Sequence, residues 1–438
     1  MLIYMMMIFM MMMSFNLFKK KFLISSIMFL LSLFLMMKLN FSINWISMGI
    51  MMGINEYSIG LVLLSLWIMG LVILMLKNLQ FLMNLVMMLL LVLMMNFLSM
   101  NLLLFYLMFE ISLIFIFVLI NKYGLSIMRL SASFYLLFYT LFFSLPMLFI
   151  LFYMMNLLKI DNFLLFEFKG LMMKDMNLIY LMYLFGAFLV KLPMFMLHNW
   201  LLKAHVEAPV YGSMILASLM LKLGSYGLLR FIFIFYVLMK SFEFMVMYGL
   251  LGGIIMSLMC FRQLDMKVLV AMSSVVHMNL MMSSLFSMYK IGILGSYITM
   301  IAHGLCSSGM FYMLNLCYLE TNSRLMLFNK GLMVLNPTIT LLWFLMCSSN
   351  MSAPMSMNLV GELFMMISII MVNKLYWLLL FIYCLFSFMY SIYFFSYINH
   401  GNLSMNNQMK GVKMLDYLIL IMHLVPLFML VFNLDLFI

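Results

Sequence analysis

The sequence predicts an all-α integral membrane protein with about 14 transmembrane helices. Two of these helices are interrupted, and the helices form an inverted five-helix repeat. Of its 438 residues 68% are hydrophobic and only 8% are charged, whereas soluble domains carry about 25% charged residues. Apolar runs of about 20 residues, the length of a membrane-crossing helix, recur along almost the whole chain. A membrane β-barrel would show alternating segments of about 10 residues, a pattern that this sequence lacks.

The predicted helices follow one another with short connections. Their approximate limits are 2–18, 21–39, 57–76, 80–98, 100–120, 133–157, 177–205, 209–236, 241–261, 267–288, 292–318, 333–372, 375–396 and 414–434. Pro193 and Pro209 fall in or after the seventh segment, and the twelfth contains Ser348-Ser349-Asn350 and Ala353-Pro354. Proline removes a backbone hydrogen bond from a helix. Irregular backbone at membrane depth is tolerated only against protein or a water-filled cavity. We therefore expect both segments to be interrupted.

Two interrupted helices five spans apart are typical of transporters built from inverted repeats. Helices 4–8 and 9–13 would be the repeats, although no residue-level repeat supports the spacing. The predicted domains are the N-terminal helices 1–79, a first repeat 80–236, a second repeat 237–396 and a C-terminal helix in 397–438. The connections are too short for a soluble domain, so no nucleotide, flavin or iron–sulfur site is expected in this chain.

The net charge of +11 comes from 23 Lys and Arg against 12 Asp and Glu. The basic residues lie in short connections, such as Lys19-Lys20-Lys21, and not in patches. This distribution indicates anchoring at the membrane surface and argues against a nucleic-acid partner. The five cysteines form no CxxC pair, so neither a disulfide framework nor a metal site is predicted.

Methionine is unusually frequent, with 64 residues, many of them where Ile or Leu would serve equally well. Leu, Phe, Ile and Asn are also abundant, while Ala, Pro and Arg are scarce. This bias is typical of an AT-rich genome in which one isoleucine codon is read as methionine, as in animal mitochondria. The N-terminus resembles neither an Arg-rich transit peptide nor a cleaved signal, and a chain made inside the organelle needs neither.

Five ionisable residues lie in or beside long apolar runs: Glu110, Lys191, Lys222, His303 and Glu362. A charge at the bilayer centre costs about 2.5–3.5 kcal/mol on insertion scales. Such groups are kept mainly to move ions or protons, or as buried ion pairs that hold a helix bundle together. Their order along the chain, with an acid at each end and bases between them, favours transport.

Glu110 and Lys191 are the first candidate pair. Each keeps its charge beside the other, and separation discharges one of them, so the pair is a switch on lysine protonation. A static ion pair is the alternative. Lys222 lies among small residues with no acid within one turn, which predicts dependence on water; snorkelling to the membrane surface is its alternative.

The histidines extend this set. Lys191, His198 and His205 are spaced by seven residues, so they would share one face if the helix were continuous. His303 is flanked by small and hydroxyl residues that can hold water, and His277 is a relay or simply a hydrogen-bonded polar residue. Glu362 follows the break in the twelfth segment, where a carboxylate can exchange protons. Glu207, at a turn in HVEAP, is expected to be structural.

Three stretches resemble one known family closely. They are LVKLPMFMLHNWLLKAHVEAPVYGSMILASLMLKLGSYGLLR (189–230), FRQLDMKVLVAMSSVVHMNLMM (261–282) and MIAHGLCSSGMFYMLNLCYLETNSR (300–324). FYLMFEISLIFI (105–116) and FYLLFYTLFFSLP (134–146) extend the match. The family is chain 4 of mitochondrial NADH:ubiquinone oxidoreductase, respiratory complex I. The resemblance covers roughly 100–375, and the ends match mainly in hydropathy.

The resemblance implies an antiporter-like, proton-pumping subunit of the membrane arm in the mitochondrial inner membrane. The positions that match proton-translocating residues of the family are Glu110, Lys191, Lys222, Glu362, His198, His205 and His303. The chain would bind no cofactor itself, because NADH, FMN, iron–sulfur clusters and ubiquinone are bound by other subunits. Its partners would be membrane lipids and other membrane-arm subunits, especially the antiporter-like chains 2 and 5. One departure is that only Arg129 remains of the family's Pro-Glu-Arg turn.

A stand-alone cation/proton antiporter is the rival function, because that class shares the pattern of Lys and Glu. A purely structural scaffold is the third possibility. For the favoured function we expect a continuous row of polar groups and waters at mid-membrane depth, formed by Glu110, Lys191, Lys222, His303 and Glu362.

Overall fold

The computed structural model describes residues 21–38, 46–47, 51–76, 80–124, 126–159, 161–163, 165, 178–234, 242–401 and 412–436. The predicted helix 2–18 lies outside them. The helices are α1 Lys21–Lys38, α2 Glu56–Met75, α3 Gln80–Leu98, α4 Leu102–Tyr123, α5 Arg129–Leu158, α6 Leu178–Lys191, α7 Asn199–Glu207, α8 Val210–Ile215, α9 Leu221–Ile234, α10 Glu243–Cys260, α11 Met266–Phe286, α12 Lys290–Thr321, α13 Leu332–Leu335, α14 Pro337–Asn350, α15 Met357–Val372, α16 Tyr376–Asn399 and α17 Met414–Met429.

Helices dominate the described part of the chain, which confirms the all-α prediction. Within the described residues ten helical segments are long and apolar enough to cross a membrane, one of them joining α8 and α9 as Val210–Ile232, and a bent pair would make eleven. The chain is therefore a multi-pass membrane protein, while the count of about fourteen spans stays a prediction. The described residues also include a two-stranded antiparallel ladder, Ile46–Ser47 with Gly53–Ile54.

The first predicted interruption is confirmed. The helix α6 ends at Lys191, and α7 begins at Asn199. Pro193 lies in the break, where it cannot donate a backbone hydrogen bond. Met196, in the same break, has φ of 72°, a left-handed conformation that is uncommon for a residue with a side chain.

The second interruption is also confirmed, but its predicted details are partly wrong. Ser348-Ser349-Asn350 belongs to α14, and the break spans 351–356, with left-handed backbone at Ser352 (φ 54°) and Met355 (φ 71°). The predicted start at 333 is also wrong. The segment Met326–Leu335 meets α14 at a bend of 119°. The cause is Pro337, which opens α14 and holds the preceding residue in extended backbone.

The chain divides into two compact units. Unit 1 lies within Met1–Lys191 and Glu207–Leu238, and unit 2 within Leu192–Val206 and Met239–Ile438. In unit 1, α1 packs on α2, α3 on α4, and α6 on both α5 and α9; in unit 2, α10 packs on α11, and α12 on both α11 and α15. The predicted domain boundaries and the inverted repeat stay predictions.

The helix predicted over 209–236 has an unpredicted feature. Between α8 and α9 the residues Leu216–Met220 form a π-helical turn, in which Leu221 N–H donates to the carbonyl of Leu216, five residues earlier. A π turn inside an α-helix is rare and often marks a functional site. Here it lies directly before Lys222.

Candidate functional site

Lys191 is buried in unit 1, at the last residue of α6, with 2% of its surface exposed. Its Nζ donates a hydrogen bond to the carbonyl oxygen of Phe109, at 3.0 Å, and lies over the Phe109 ring, 2.8 Å from its centroid. A carbonyl oxygen and the face of an aromatic ring both attract a cation. The Lys191 amine therefore lies against α4, in contact with Phe109, the residue before Glu110.

Glu110 and Lys191 lie close enough for each charge to influence the other, but the described residues show no ion-pair contact between them, so their pairing stays a prediction. The Glu110 side chain is half-buried, and it also contacts the Ser144 side chain of α5. Its buried Oε1 has no hydrogen-bond partner among the described residues. A buried, incompletely bonded carboxylate beside an amine is a pair in which a proton can be exchanged, because burial penalises the charge on each group.

Lys222 is fully buried in unit 1, in the first turn of α9. Its Nζ donates to the carbonyl oxygen of Ala217, at 2.9 Å, and Ala217 belongs to the π turn. The side chain therefore folds back along its own helix. Snorkelling and proton transfer both stay open for Lys222, whose amine is buried within unit 1.

Lys191, His198 and His205 would share a face only on a continuous helix, and the expected interruption separates them. The helix does not continue from Lys191 to His198, because residues 192–198 are the break. His198 precedes α7 directly and stacks on Phe195, with ring centroids 6.1 Å apart. His205 is buried in α7 and stacks on Phe311, with ring centroids 4.8 Å apart and ring planes nearly parallel.

Glu362 is held in unit 2 between two elements, with 6% of its surface exposed. Its Oε1 is 3.1 Å from Nδ1 of His277 on α11. Its other oxygen, Oε2, accepts a short hydrogen bond from the hydroxyl of Ser352. Ser352 is one of the two left-handed residues of the second break. Irregular backbone therefore fixes the carboxylate that faces the histidine.

His303 joins this group through a shared cavity. The ring centroids of His303 and His277 are 5.6 Å apart, and both rings line the cavity with Glu362 and Asn358. The remaining lining residues are Met278, Met281, Thr299 and Met365. The cavity has room for about one water molecule and offers it several polar partners. Three titratable side chains thus meet around a small polar space in unit 2.

Close packing of α12 on α15 fixes the position of Glu362. Gly295 and Gly361 face each other across this contact, and a Cβ at either would collide with the opposite helix. Small residues allow helices in membranes to approach closely. Gly361 is the neighbour of Glu362, so the backbone contact places the carboxylate against α11.

His277 was left undecided by the sequence and was not among the proposed site residues. In the structure it contacts Glu362 directly, and its Nε2 is 3.4 Å from the hydroxyl of Tyr390 on α16. A usable signal was present: Ser273, Ser274 and Asn279 make the middle of α11 unusually polar for a membrane helix. The partners of His277 on α15 and α16, Glu362 and Tyr390, could not be found from α11 alone.

The structure places Glu110 with Lys191 in unit 1, and His303 with Glu362 in unit 2. Lys222 lies in unit 1 and His205 in unit 2, each buried. The continuous row predicted through Glu110, Lys191, Lys222, His303 and Glu362 spans both units and stays a prediction. Glu207, the last residue of α7, accepts a short hydrogen bond from the Ser126 hydroxyl, in keeping with its expected structural role.

Comparisons with known proteins give a consistent result. Residues 99–391 match the family model described as NADH:quinone oxidoreductase/Mrp antiporter, TM. The NADH-ubiquinone oxidoreductase chain 4 of Apis mellifera ligustica is 46% identical over 88% of this chain and 86% of its own length. Those of Ceratitis capitata and Aedes aegypti are 43% and 41% identical, covering 91% and 97% of both chains.

Two solved structures share the fold. A chain of respiratory complex I from Thermus thermophilus with bound NADH superposes with a TM-score of 0.84 at 21% identity, covering 94% of this chain and 90% of that one. A chain of the Mrp complex from Dietzia reaches 0.83 at 12% identity, covering 95% and 90%. The nearly equal scores show that the fold alone does not separate the two classes, whereas the sequence relatives do.

Proposed function

We propose that this chain, which belongs to the NADH-ubiquinone oxidoreductase chain 4 family, carries protons through the membrane arm of the assembled enzyme. The observation that supports this most is the contact of Glu362 with His277 inside a membrane helix bundle, 3.1 Å apart and both almost fully buried. Burying such groups is costly. An apolar bundle gains little from it, whereas proton transfer requires it.

The first exchange in this proposal takes place between Glu110 and Lys191. With Glu110 ionised, the Lys191 amine stays protonated between the carboxylate, the Phe109 carbonyl and the Phe109 ring. When Glu110 gains a proton, the amine loses its anionic neighbour while remaining buried. Desolvation then favours the neutral amine, which releases its proton to the next acceptor.

Lys222 is the next amine in the proposal. Its Nζ donates to a neutral carbonyl oxygen, that of Ala217, which stabilises an ammonium less than a carboxylate does. A buried lysine in such a setting changes protonation readily. The π turn supplies this acceptor at a fixed place in the helix, so the amine keeps one position while it gains and loses a proton.

In unit 2 the proposal assigns the transfer to His277, His303 and Glu362 around their shared cavity. Imidazole can take a proton on one nitrogen and release it from the other. Glu362 orients His277 through its contact with Nδ1. The cavity is lined by both imidazole rings, that of His277 and that of His303. His198 and His205 are proposed to contribute at α7, as the family resemblance implies.

The wider setting belongs to the same proposal. The chain would bind no redox cofactor, and NADH, FMN, iron–sulfur clusters and ubiquinone would be bound by other subunits. Its partners would be the antiporter-like chains 2 and 5 and membrane lipids, in the mitochondrial inner membrane. The energy of electron transfer would reach this chain through neighbouring subunits and change the charges of its buried groups.

Replacement of Lys191 tests the proposal in the assembled enzyme. We expect Lys191→Met to permit assembly and to reduce coupled ubiquinone reduction strongly, because the side chain keeps its volume but cannot hold a proton. The matched control is Lys122→Met, which removes an exposed lysine at the end of the same helix that carries Glu110. Normal turnover with a normal proton-to-electron ratio in Lys191→Met would overturn the proposal.

A further inference from the structure

His277 uses both ring nitrogens. Nδ1 is 3.1 Å from Glu362 Oε1, and Nε2 is 3.4 Å from the hydroxyl oxygen of Tyr390. Tyr390 is almost completely buried, with 1% of its surface exposed. A carboxylate on one nitrogen and a phenol on the other give the imidazole a defined entrance and a defined exit for a proton.

Each of these contacts opens on a different cavity. The first cavity holds Glu362 and His303, and on α11 it reaches residues that follow His277, namely Met278 and Met281. The second cavity holds Tyr390, and on α11 it reaches residues that precede His277: Leu269, Val270 and Ser273. The two cavities therefore lie on opposite sides of His277 along α11.

The second cavity is also partly polar. Besides Tyr390 and Ser273 it is lined by Asn350, the last residue of α14, and by Ser391. It has room for about one water molecule, for which these groups provide hydrogen-bond partners. The Tyr390 hydroxyl thus lies between the histidine and a second small polar space.

We propose that Tyr390 is a proton-relay residue, which passes protons between His277 and the second cavity. The inference rests on the proposed function of this chain and extends it by one branch. His277, protonated on both nitrogens, gives its Nε2 proton to the Tyr390 oxygen while the phenol releases its own proton to a water molecule in the second cavity, which becomes hydronium. The phenol ends neutral, and one proton has moved by one step.

The relay gives the transfer a direction along α11. Protonated Glu362 gives its proton to Nδ1 of an imidazole that carries its own proton on Nε2, and Tyr390 then takes the Nε2 proton towards the second cavity. Before the next passage the imidazole returns from the Nδ1–H to the Nε2–H tautomer. The segment from His277 back to Leu269 is eight residues of helix, about 12 Å of rise. A proton released there is closer to the beginning of α11 and to the end of α16, on the same side of the bundle.

The test is Tyr390→Phe in the assembled enzyme, with Tyr383→Phe as its matched control. Tyr383 is fully buried, lies two turns earlier on α16, and donates to the carbonyl of Val276 at 3.3 Å, so its loss removes a hydroxyl that serves packing. We expect Tyr390→Phe to slow coupled turnover about tenfold, less than the ~10²-fold typical of an obligatory acid or base, because water can partly replace a hydroxyl. The solvent deuterium isotope effect should rise in Tyr390→Phe and stay parental in Tyr383→Phe.

Several outcomes would overturn the relay. Parental turnover and isotope effect in Tyr390→Phe would do so, and so would equal losses in both tyrosine variants, which would indicate packing. If Tyr390→Phe does not assemble, Asn350→Leu decides: it should slow turnover and raise the isotope effect, and parental values would refute the branch. Lys191→Met separates the two levels, because a loss there with parental Tyr390→Phe refutes the relay alone, whereas parental values in both refute the proposed function.

Discussion

A methyl group at Gly295 is expected to separate Glu362 from His277 without altering either side chain. A Cβ at Gly295 would lie 2.9 Å from both the carbonyl oxygen of Gly361 and the backbone nitrogen of Met365, and 2.7 Å from Cβ of Phe364. Ordinary contacts of this kind begin at 3.4 Å. Backbone atoms cannot rotate away, so α15 has to move from α12 by at least about 0.5 Å.

This displacement is large enough to matter for the site. A shift of about 0.5 Å directed away from α11 lengthens the Glu362–His277 distance from 3.1 Å to as much as about 3.6 Å, beyond the range of a hydrogen bond. Overpacking of this kind costs about 1–3 kcal/mol. We therefore expect Gly295→Ala to lower the unfolding temperature of the assembled enzyme and to reduce its coupled turnover.

The matched control for this variant is Gly186→Ala on α6. There the nearest atoms to an added Cβ belong to the Phe143 ring, at 3.0 Å and beyond, and a ring can turn aside. Thermal unfolding and coupled ubiquinone reduction measured on both variants test the reasoning. It is refuted if Gly295→Ala keeps the parental unfolding temperature and turnover, or if both variants lose activity equally.

Two further substitutions distinguish a residue of the proposed proton transfer from a residue that stabilises the fold. Glu362→Gln keeps an acceptor for the Ser352 hydroxyl but cannot ionise, so coupled turnover should fall by ~10²-fold or more while assembly persists; turnover near the parental value in the purified enzyme would contradict this. Arg230→Met removes a buried guanidinium whose Nη1 donates to the Ser99 carbonyl at 2.5 Å, which should cost about 1–3 kcal/mol of stability. Because Arg230 has no part in the proposed transfer, the proton-to-electron ratio of the enzyme that survives should be parental, and a reduced ratio would contradict the assignment.

The helices were well predicted because the membrane imposes a simple requirement. Apolar runs must satisfy their backbone hydrogen bonds internally, so their lengths predict where helices lie. The predicted segments 80–98 and 375–396, for example, correspond to Gln80–Leu98 and Tyr376–Asn399. Proline marked both interruptions, since its effect on a helix is local and does not depend on the fold.

What the sequence could not predict depends on contacts between distant segments. The π turn at Leu216–Met220 has no local signature, because Leu, Ala, Ser and Met all suit an ordinary helix. The contact of His277 with Glu362 requires knowing that α12 brings α15 against α11. The seven-residue spacing of Lys191 and His198 does not place them on one helix face, because the break between α6 and α7 separates them. The structure places Glu110 and Lys191 in the same unit and near each other, as two buried opposite charges require, while their pairing stays a prediction.

The central claim is that buried amines in this chain alternate between charged and neutral forms, and the most direct measurement is proton pumping by Lys222→Arg. Arginine keeps a positive charge at this position but does not release its proton. Lys222→Met, neutral and of similar length, shows what loss of the charge alone does. We expect both variants to assemble and both to lose most proton-coupled ubiquinone reduction. Parental turnover with a parental proton-to-electron ratio in Lys222→Arg would show that a fixed positive charge suffices, and would contradict the account.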